Sequence, residues 1–140
     1  MMKKVVLFTV IMVFILSMFS SCTPEKKLDI SDDALEIAMN TIATTDDFLD
    51  RNLSAAEACD KAETYYFYLE SEYEKNKEEE VYQKYIQKGY TYSPDWLEIQ
   101  IEIQNIQFTL SLYKYDGFGE NKVLEARNKL AETLGIKKRK

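Results

Sequence analysis

The chain has 140 residues and a formal net charge of −6, with 24 Asp and Glu against 18 Lys and Arg. A nucleic-acid-binding protein needs basic side chains to neutralise phosphates, so this acidic balance argues against that class. The chain contains no histidine, which excludes Ser-His and Cys-His nucleophile activation, HExxH zinc sites and Glu-x-x-His di-iron sites. Four Gly and two Pro beside 46% apolar residues disfavour disorder and a turn-rich β-sandwich.

The first 21 residues have the three parts of a secretory signal. Two lysines precede an apolar run, Val5–Leu16, and the segment ends in small residues. Extended to Phe19, the run has about fifteen residues, fewer than the ~20 that a membrane-spanning helix needs. The sequence therefore predicts a signal peptide over residues 1–21. Cys22 follows this segment directly. The alternative to a lipoprotein signal is that this cysteine is coincidental and that the segment is an ordinary secretory signal or an uncleaved anchor.

The signal ends in Phe19-Ser20-Ser21-Cys22, which resembles the lipobox of bacterial lipoprotein precursors. In that class the cysteine thiol receives a diacylglyceryl group and the leader is cleaved just before it. The resemblance therefore implies lipidation of Cys22 and cleavage between Ser21 and Cys22. Phe19 stands where the class usually has Leu. The resemblance covers the leader alone and implies an extracytoplasmic domain, held by lipid on the cell membrane or the outer membrane.

Residues 22–30 are predicted to form a short polar tether that keeps the domain close to the bilayer. The chain has two cysteines, and two cysteines in an exported protein would normally suggest a disulfide. Because Cys22 carries lipid in this interpretation, Cys59 is left without a partner. We predict that Cys59 is a buried free thiol; the alternative is an intermolecular disulfide.

Residues 31–136 are predicted to form an all-α domain, a small up-down bundle of about four helices. Ser31 is the candidate N-cap of the first helix, and Ser54 begins the second with the spacing of a capping box. The second apolar pattern fails after Tyr73, so a break is predicted near residues 75–80, before a short helix that Gly89 ends. The predicted core rows are Leu35, Met39, Ile42, Leu49 and Leu53 on the first helix, and Ala55, Cys59, Ala62, Tyr66, Leu69 and Tyr73 on the second.

The stretch from Trp96 to Tyr113 carries two apolar patterns. Residues 97–112 alternate between apolar and polar, as a strand with a bulge would. A second row fits a helix, and Ser93 followed by Pro94 is a strong helix start. A strand of this length would be about three times the usual ~6 residues, so we predict a helix and keep a strand as the alternative. The helical row is Trp96, Ile99, Ile103, Ile106, Leu110 and Tyr113.

The last helix is predicted to follow a turn with two glycines, with Asn121 as its cap and Gly135 as its end. Its core row is Val123, Ala126, Leu130 and Leu134. Residues 137–140 form a basic tail. An up-down bundle would return this tail to the anchored end, where it would face anionic lipid and orient the domain. The alternative is a frayed tail that complements the dipole of the last helix.

The aromatic and apolar residues outside the core rows suggest a contact surface. Phe67 and Tyr68 point away from the core row of the second helix, and the third helix has a second apolar face. We therefore predict a protein-binding, envelope-associated lipoprotein. The alternative is a small-molecule carrier with an apolar pocket between helices; an enzyme is the third class, and no catalytic residue, metal site or cofactor is predicted. The candidate partner surface consists of Phe67, Tyr68, Leu97, Ile101, Phe108 and Leu112.

Overall fold

The computed structural model describes residues 27–140, which form five α-helices and contain no strand. The prediction of an all-α domain is confirmed, with four long helices and the short helix that was predicted before Gly89. The predicted signal peptide, Cys22 and the first part of the tether lie outside the described residues. The helices are α1 (Asp32–Leu49), α2 (Ala55–Asn76), α3 (Glu80–Ile86), α4 (Pro94–Asp116) and α5 (Glu120–Thr133).

Three of the helix starts follow from local hydrogen bonds that the sequence predicts. The Ser31 hydroxyl accepts from the Ala34 amide at 3.1 Å, and Ser54 forms a capping box with Glu57. Ser93 caps α4 in the same way, with Pro94 at the first helical position. The start of α5 differs from the prediction, because Gly119 at φ 93° occupies the N-cap position in place of Asn121.

The strand alternative for residues 96–113 is wrong, because α4 is a continuous helix that packs mainly against α2 and α5. Its predicted row forms the centre of the core: Trp96, Ile99, Ile103, Ile106 and Leu110 are all fully buried. The predicted row of α5 is also buried. On α2, the row predicted between Ala55 and Tyr73 is buried or half-buried throughout.

The buried face of α1 is rotated by about one residue from the predicted row. Ile42 is buried, but Leu35, Met39 and Leu49 are only half-buried. Small side chains allow α1 to lie close to its neighbours, and the threonines among them donate their hydroxyls to carbonyls one turn earlier. The buried row is Ala34, Ala38, Thr41, Thr45 and Phe48.

The end of the predicted tether belongs to the packed domain. Leu28 and Ile30 are buried among the helices. Between them, the Asp29 amide donates to the Asp95 carboxylate at 2.9 Å and the Asp29 carbonyl accepts from the Ser93 hydroxyl at 2.7 Å. The domain therefore begins at residue 28 rather than at residue 31, and this segment is fixed to the start of α4.

The predicted break after Tyr73 is confirmed. Helix α2 ends at Asn76, and α3 follows after three residues. At the end of α3, Gly89 adopts a left-handed conformation with φ 86°, and its amide donates to the Ile86 carbonyl at 2.9 Å. Tyr82 of α3 is fully buried and its ring lies 5.0 Å from that of Tyr73, which fixes α3 against α2.

Candidate functional site

The second apolar row of α4 lies on the solvent side of the helix, opposite the core. Leu97, Ile101, Phe108 and Leu112 are 37–61% exposed. At 100° per residue this row points about 180° away from the row around Ile103. We refer to these four residues as the outer face of α4. No other segment within residues 27–140 covers them.

Acidic residues border the outer face of α4 on both sides. Glu98 and Glu102 lie on the edge nearer α5, where the Thr133 hydroxyl donates to Glu98 at 3.1 Å. On the other edge, Glu70 of α2 accepts a hydrogen bond from Gln100 of α4. Glu63 and Glu74 lie seven residues before and four residues after Glu70, so they occupy the same side of α2. Carboxylates therefore lie along both long edges of the apolar face, and Lys122 adjoins its C-terminal end beside Leu112.

Phe67 and Tyr68 are both exposed, but they do not belong to one surface. Phe67 shares the row of Glu63 and Glu70, on the edge of α2 that adjoins α4. Tyr68 lies on the opposite edge, where it lines a groove between α1 and α2 and its ring packs 6.5 Å from that of Tyr65. The structure thus separates Tyr68 from the other predicted surface residues.

Two exposed aromatic residues, one in the last turn of α4 and one in the turn that follows it, were not predicted. Tyr115 and Phe118 are about four-fifths exposed. Phe118 lines a small depression together with Leu112, which extends the outer face of α4 toward the turn before α5. The sequence signal was the position of Phe118 between Gly117 and Gly119, because a residue between two glycines of a turn has few neighbours to pack against.

The C-terminal residues fold back over the bundle. Gly135, at φ 69°, reverses the chain after α5. The Asn128 side chain then donates to the Arg139 carbonyl and accepts from the Arg139 amide, each at 2.8 Å. Arg127 donates to the Lys137 carbonyl at 3.0 Å. We refer to residues 135–140 as the C-terminal strap.

The basic tail does not lie beside the start of α1, where the up-down topology predicted it. Arg139 pairs with Asp46 and Asp50 in the last turn of α1. A rise of 1.5 Å per residue puts these positions about 20–30 Å from Ser31. The reversal at Gly135 sends the strap back along α5, so the up-down topology does not decide where its charges lie.

An open groove lies between α1 and the C-terminal strap. It has a volume of about 850 Å³. Asp46 lines one end, where its carboxylate oxygens each lie 2.9 Å from a guanidinium nitrogen of Arg127. The rest of the lining combines apolar side chains of α1 and the strap with the basic residues of the strap: Met39, Ile42, Ala43, Asp50 and residues 136–140.

A buried polar cluster joins the start of α1 to α2 and α3. The Glu72 carboxylate accepts from the Ser31 hydroxyl, from Tyr82 at 3.1 Å and from Asn76 at 3.0 Å. Burial is the main cause that raises the pKa of Tyr82 to about 12. Since Glu72 and Tyr82 are saturated by one another and by their neighbours, the cluster fixes the fold and leaves no free group for a ligand.

Cys59 lies in the α2 core row, as predicted. It is buried and free, with its sulfur 3.9 Å from the Gln107 carbonyl. Burial raises the pKa of its thiol, which keeps the side chain protonated and unreactive near neutral pH.

Neither a membrane span nor a metal centre emerges from residues 27–140. None of the helices described there has the length and apolar character needed to cross a bilayer. In the same range, no three His, Cys, Asp or Glu side chains come together as metal ligands. No protein-family model, curated protein or solved structure matches the chain. The outer face of α4 and the groove under the C-terminal strap are therefore the two candidate sites.

Proposed function

We propose that this chain is a membrane-anchored extracytoplasmic lipoprotein whose helical domain binds a partner protein through the outer face of α4. The proposal of an anchor is supported by the leader and by the lipobox-like segment that ends in Cys22. The proposal of a binding surface is supported by one observation, the four large apolar side chains that remain exposed on a helix whose opposite side fills the core.

The size of this surface supports a specific contact. The four side chains are 37–61% exposed along one row, and an extended row of exposed apolar side chains is typical of an interaction surface. Phe67 and Phe118 flank the row and add aromatic surface at its edges. Burying such a patch supplies a favourable free energy, since the hydrophobic effect scales with the apolar area removed from water.

The acidic border indicates the chemistry of the partner. Glu63, Glu70 and Glu74 on one side and Glu98 and Glu102 on the other would repel an anionic membrane surface or the same face of a second copy. They would attract a segment in which lysine or arginine flanks an apolar row. We therefore assign the outer face of α4 to an amphipathic helix of a partner protein with basic flanks.

Photocross-linking in the membrane of the producing cell tests this assignment. A photoreactive phenylalanine analogue placed at Ile101 or Phe108 should give one adduct of defined mass. The partner peptide in that adduct should combine an apolar row with basic residues. The matched control positions are Asn121 and Lys129, which are exposed on α5 and should give no such adduct. Raising the salt concentration should lower the yield, because the attraction to the acidic border is screened.

Three outcomes of this experiment would contradict the assignment. They are equal labelling from the α4 and α5 positions, an adduct of the chain with a second copy of itself, and adducts with lipid only. Each would remove the reason to treat the outer face of α4 as a surface for a partner helix.

The lipid anchor is tested separately by Cys22→Ala. Stable membrane attachment takes two hydrophobic signals, and a diacylglyceryl group supplies two acyl chains. We expect the variant to retain its leader or to leave the membrane, with fractionation and intact-mass measurement as the readouts. Cys59→Ala is the matched control and should be processed normally. A Cys22→Ala chain that loses its leader and still sediments with membranes would refute the anchor.

A further inference from the structure

We propose that the groove between α1 and the C-terminal strap binds a single-chain anionic amphiphile, with the acyl chain on its apolar floor and the anionic head beside Lys137 and Lys140. This site lies apart from the outer face of α4. Its test can therefore fail while the assignment of the partner surface stands, and the reverse also holds.

The floor of the groove explains an apolar residue of α1 that the core does not fully bury. Met39 belongs to the predicted core row but is only half-buried, and the buried Ile42 reaches the groove from the edge of the core. They line the groove together with Ala43 from the next turn and Ile136 from the strap. An acyl chain laid along this floor would remove these side chains from water. A volume of about 850 Å³ lies within the range of small-ligand sites.

The charges around the groove favour an anion. Arg127 and Arg139 are neutralised by Asp46 and Asp50. Lys138 is paired with Glu132 outside the groove at 2.7 Å. Lys137 and Lys140 form no ion pair with any residue between 27 and 140, so the mouth of the groove keeps two cations in a chain whose overall charge is negative.

The arrangement of the two features selects an amphiphile over a purely apolar or purely charged ligand. An apolar molecule would cover Met39 and Ile42 and leave the two lysines without a counter-charge. A small anion would meet the lysines and leave the floor exposed. A carboxylate or phosphate head on one acyl chain satisfies both, and it could come from a free fatty acid or from an anionic bilayer lipid.

Photolabelling of the full chain in nanodiscs of neutral phosphatidylcholine tests the proposal. The probes are a diazirine-bearing palmitate and the matching diazirine fatty alcohol, with the labelled peptides identified by mass spectrometry. We expect the acid to label the peptides that contain Met39–Ala43 and Ile136, and the alcohol to label them much less. The charge reversals Lys137→Glu and Lys140→Glu together should lower labelling by the acid at least about tenfold.

Two further variants test whether the effect depends on the position of the charges and on access to the apolar floor. Lys61→Glu with Lys129→Glu changes the net charge equally at exposed positions away from the groove and should label like the unaltered chain. Ala43→Trp places a bulky side chain on the floor at an exposed position, so it should block labelling without altering the circular dichroism spectrum.

Replacing phosphatidylcholine by phosphatidylglycerol lowers labelling if bilayer lipids fill the groove and leaves it unchanged if the free acid is the ligand.

The proposal is overturned if acid and alcohol label the groove equally, or if the reversal of Lys137 and Lys140 has no more effect than that of Lys61 and Lys129. Labelling that falls on the outer face of α4 in place of the groove would also overturn it.

Discussion

Glu72 is a buried carboxylate at the point where α1, α2 and α3 meet, and its neighbours satisfy it completely. Ser31, Asn76 and Tyr82 all donate to it. The Ser31 amide also donates to the Tyr82 oxygen at 3.2 Å, so that oxygen is fixed from two sides. Buried polar groups with all partners present specify one arrangement of the surrounding elements, and removal of one partner leaves an expensive orphan.

The buried phenol predicts alkaline instability. The pKa of Tyr82 is raised to about 12 in the folded chain, mainly by burial and also by Glu72. Between about pH 10 and pH 12 the unfolded chain releases a proton that the folded chain keeps, so the free energy of unfolding falls as pH rises through this window. The contribution is on the order of 2 kcal/mol.

Urea unfolding across this pH range checks the prediction. Tyr82→Phe should flatten the dependence, although the smaller pKa elevations of Tyr73 and Tyr92 leave part of the slope. Tyr115→Phe is the matched control, because Tyr115 is 80% exposed, and it should leave the slope unchanged. Equal slopes for both variants would mean that Tyr82 is not the main titrating group.

At the scale of elements, α4 has two apolar sides with opposite roles. Ile101 and Ile103 are the same residue type only two positions apart, yet Ile101 is 47% exposed and Ile103 is fully buried. Ile103→Ala should therefore lower the free energy of unfolding by about 2–5 kcal/mol through lost burial and a cavity. Ile101→Ala should change it by less than about 0.5 kcal/mol and should weaken binding of a partner helix.

Chemical denaturation of the two variants, measured side by side, decides between these roles. Similar losses for both would mean that the outer face of α4 is covered in the native protein even without a partner.

The parts of each element that could be predicted from the sequence are the local ones. A serine hydroxyl caps an amide three residues ahead, so Ser31, Ser54 and Ser93 mark their helices without knowledge of the rest of the chain. The rotation of α1 could not be predicted in this way. A prediction from the sequence selects large apolar side chains such as Leu35 and Met39 as core residues. Close packing between helices instead places the smaller residues beside them in the core.

The exposed side of α4 was visible as a second apolar row, but sequence could not tell whether a further helix would cover it. That depends on the number and direction of neighbouring helices. Consecutive residues of an α-helix are rotated by about 100°, so the sequence alone indicates that Phe67 and Tyr68 face different directions. It does not indicate which helix packs beside each of them.

At the scale of the whole molecule, the first and last described residues are fixed to different ends of the bundle. The N-terminal segment around Asp29 is fixed to the last turn of α3, where Lys84 lies 2.6 Å from Asp29, and to the start of α4. The strap is fixed to the last turn of α1 by Asp46 and Asp50. These contacts join residues that are far apart in the sequence, and no periodic pattern of apolar residues indicates them. For this reason the sequence did not predict that residues 28–30 and the strap pack against the bundle.

Asp46 connects α1, α5 and the strap, so its replacement should destabilise the domain. The Arg127 side chain is only 8% exposed and makes a two-pronged ion pair with Asp46. Asp46→Asn leaves this guanidinium buried without its counter-charge and should lower the free energy of unfolding by about 2 kcal/mol, less than for a fully buried pair because Asp46 itself is partly exposed.

Asp50→Asn is the matched control, because the ion pair of Asp50 with Arg139 is exposed to solvent and screened, so this variant should lower the free energy of unfolding much less. The double variant Asp46→Asn with Arg127→Met should recover most of the loss, since no orphaned charge remains. Urea unfolding of residues 27–140 measures all three. If Asp46→Asn and Asp50→Asn cost the same, or if Arg127→Met brings no recovery, Arg127 is not the group that makes Asp46 necessary.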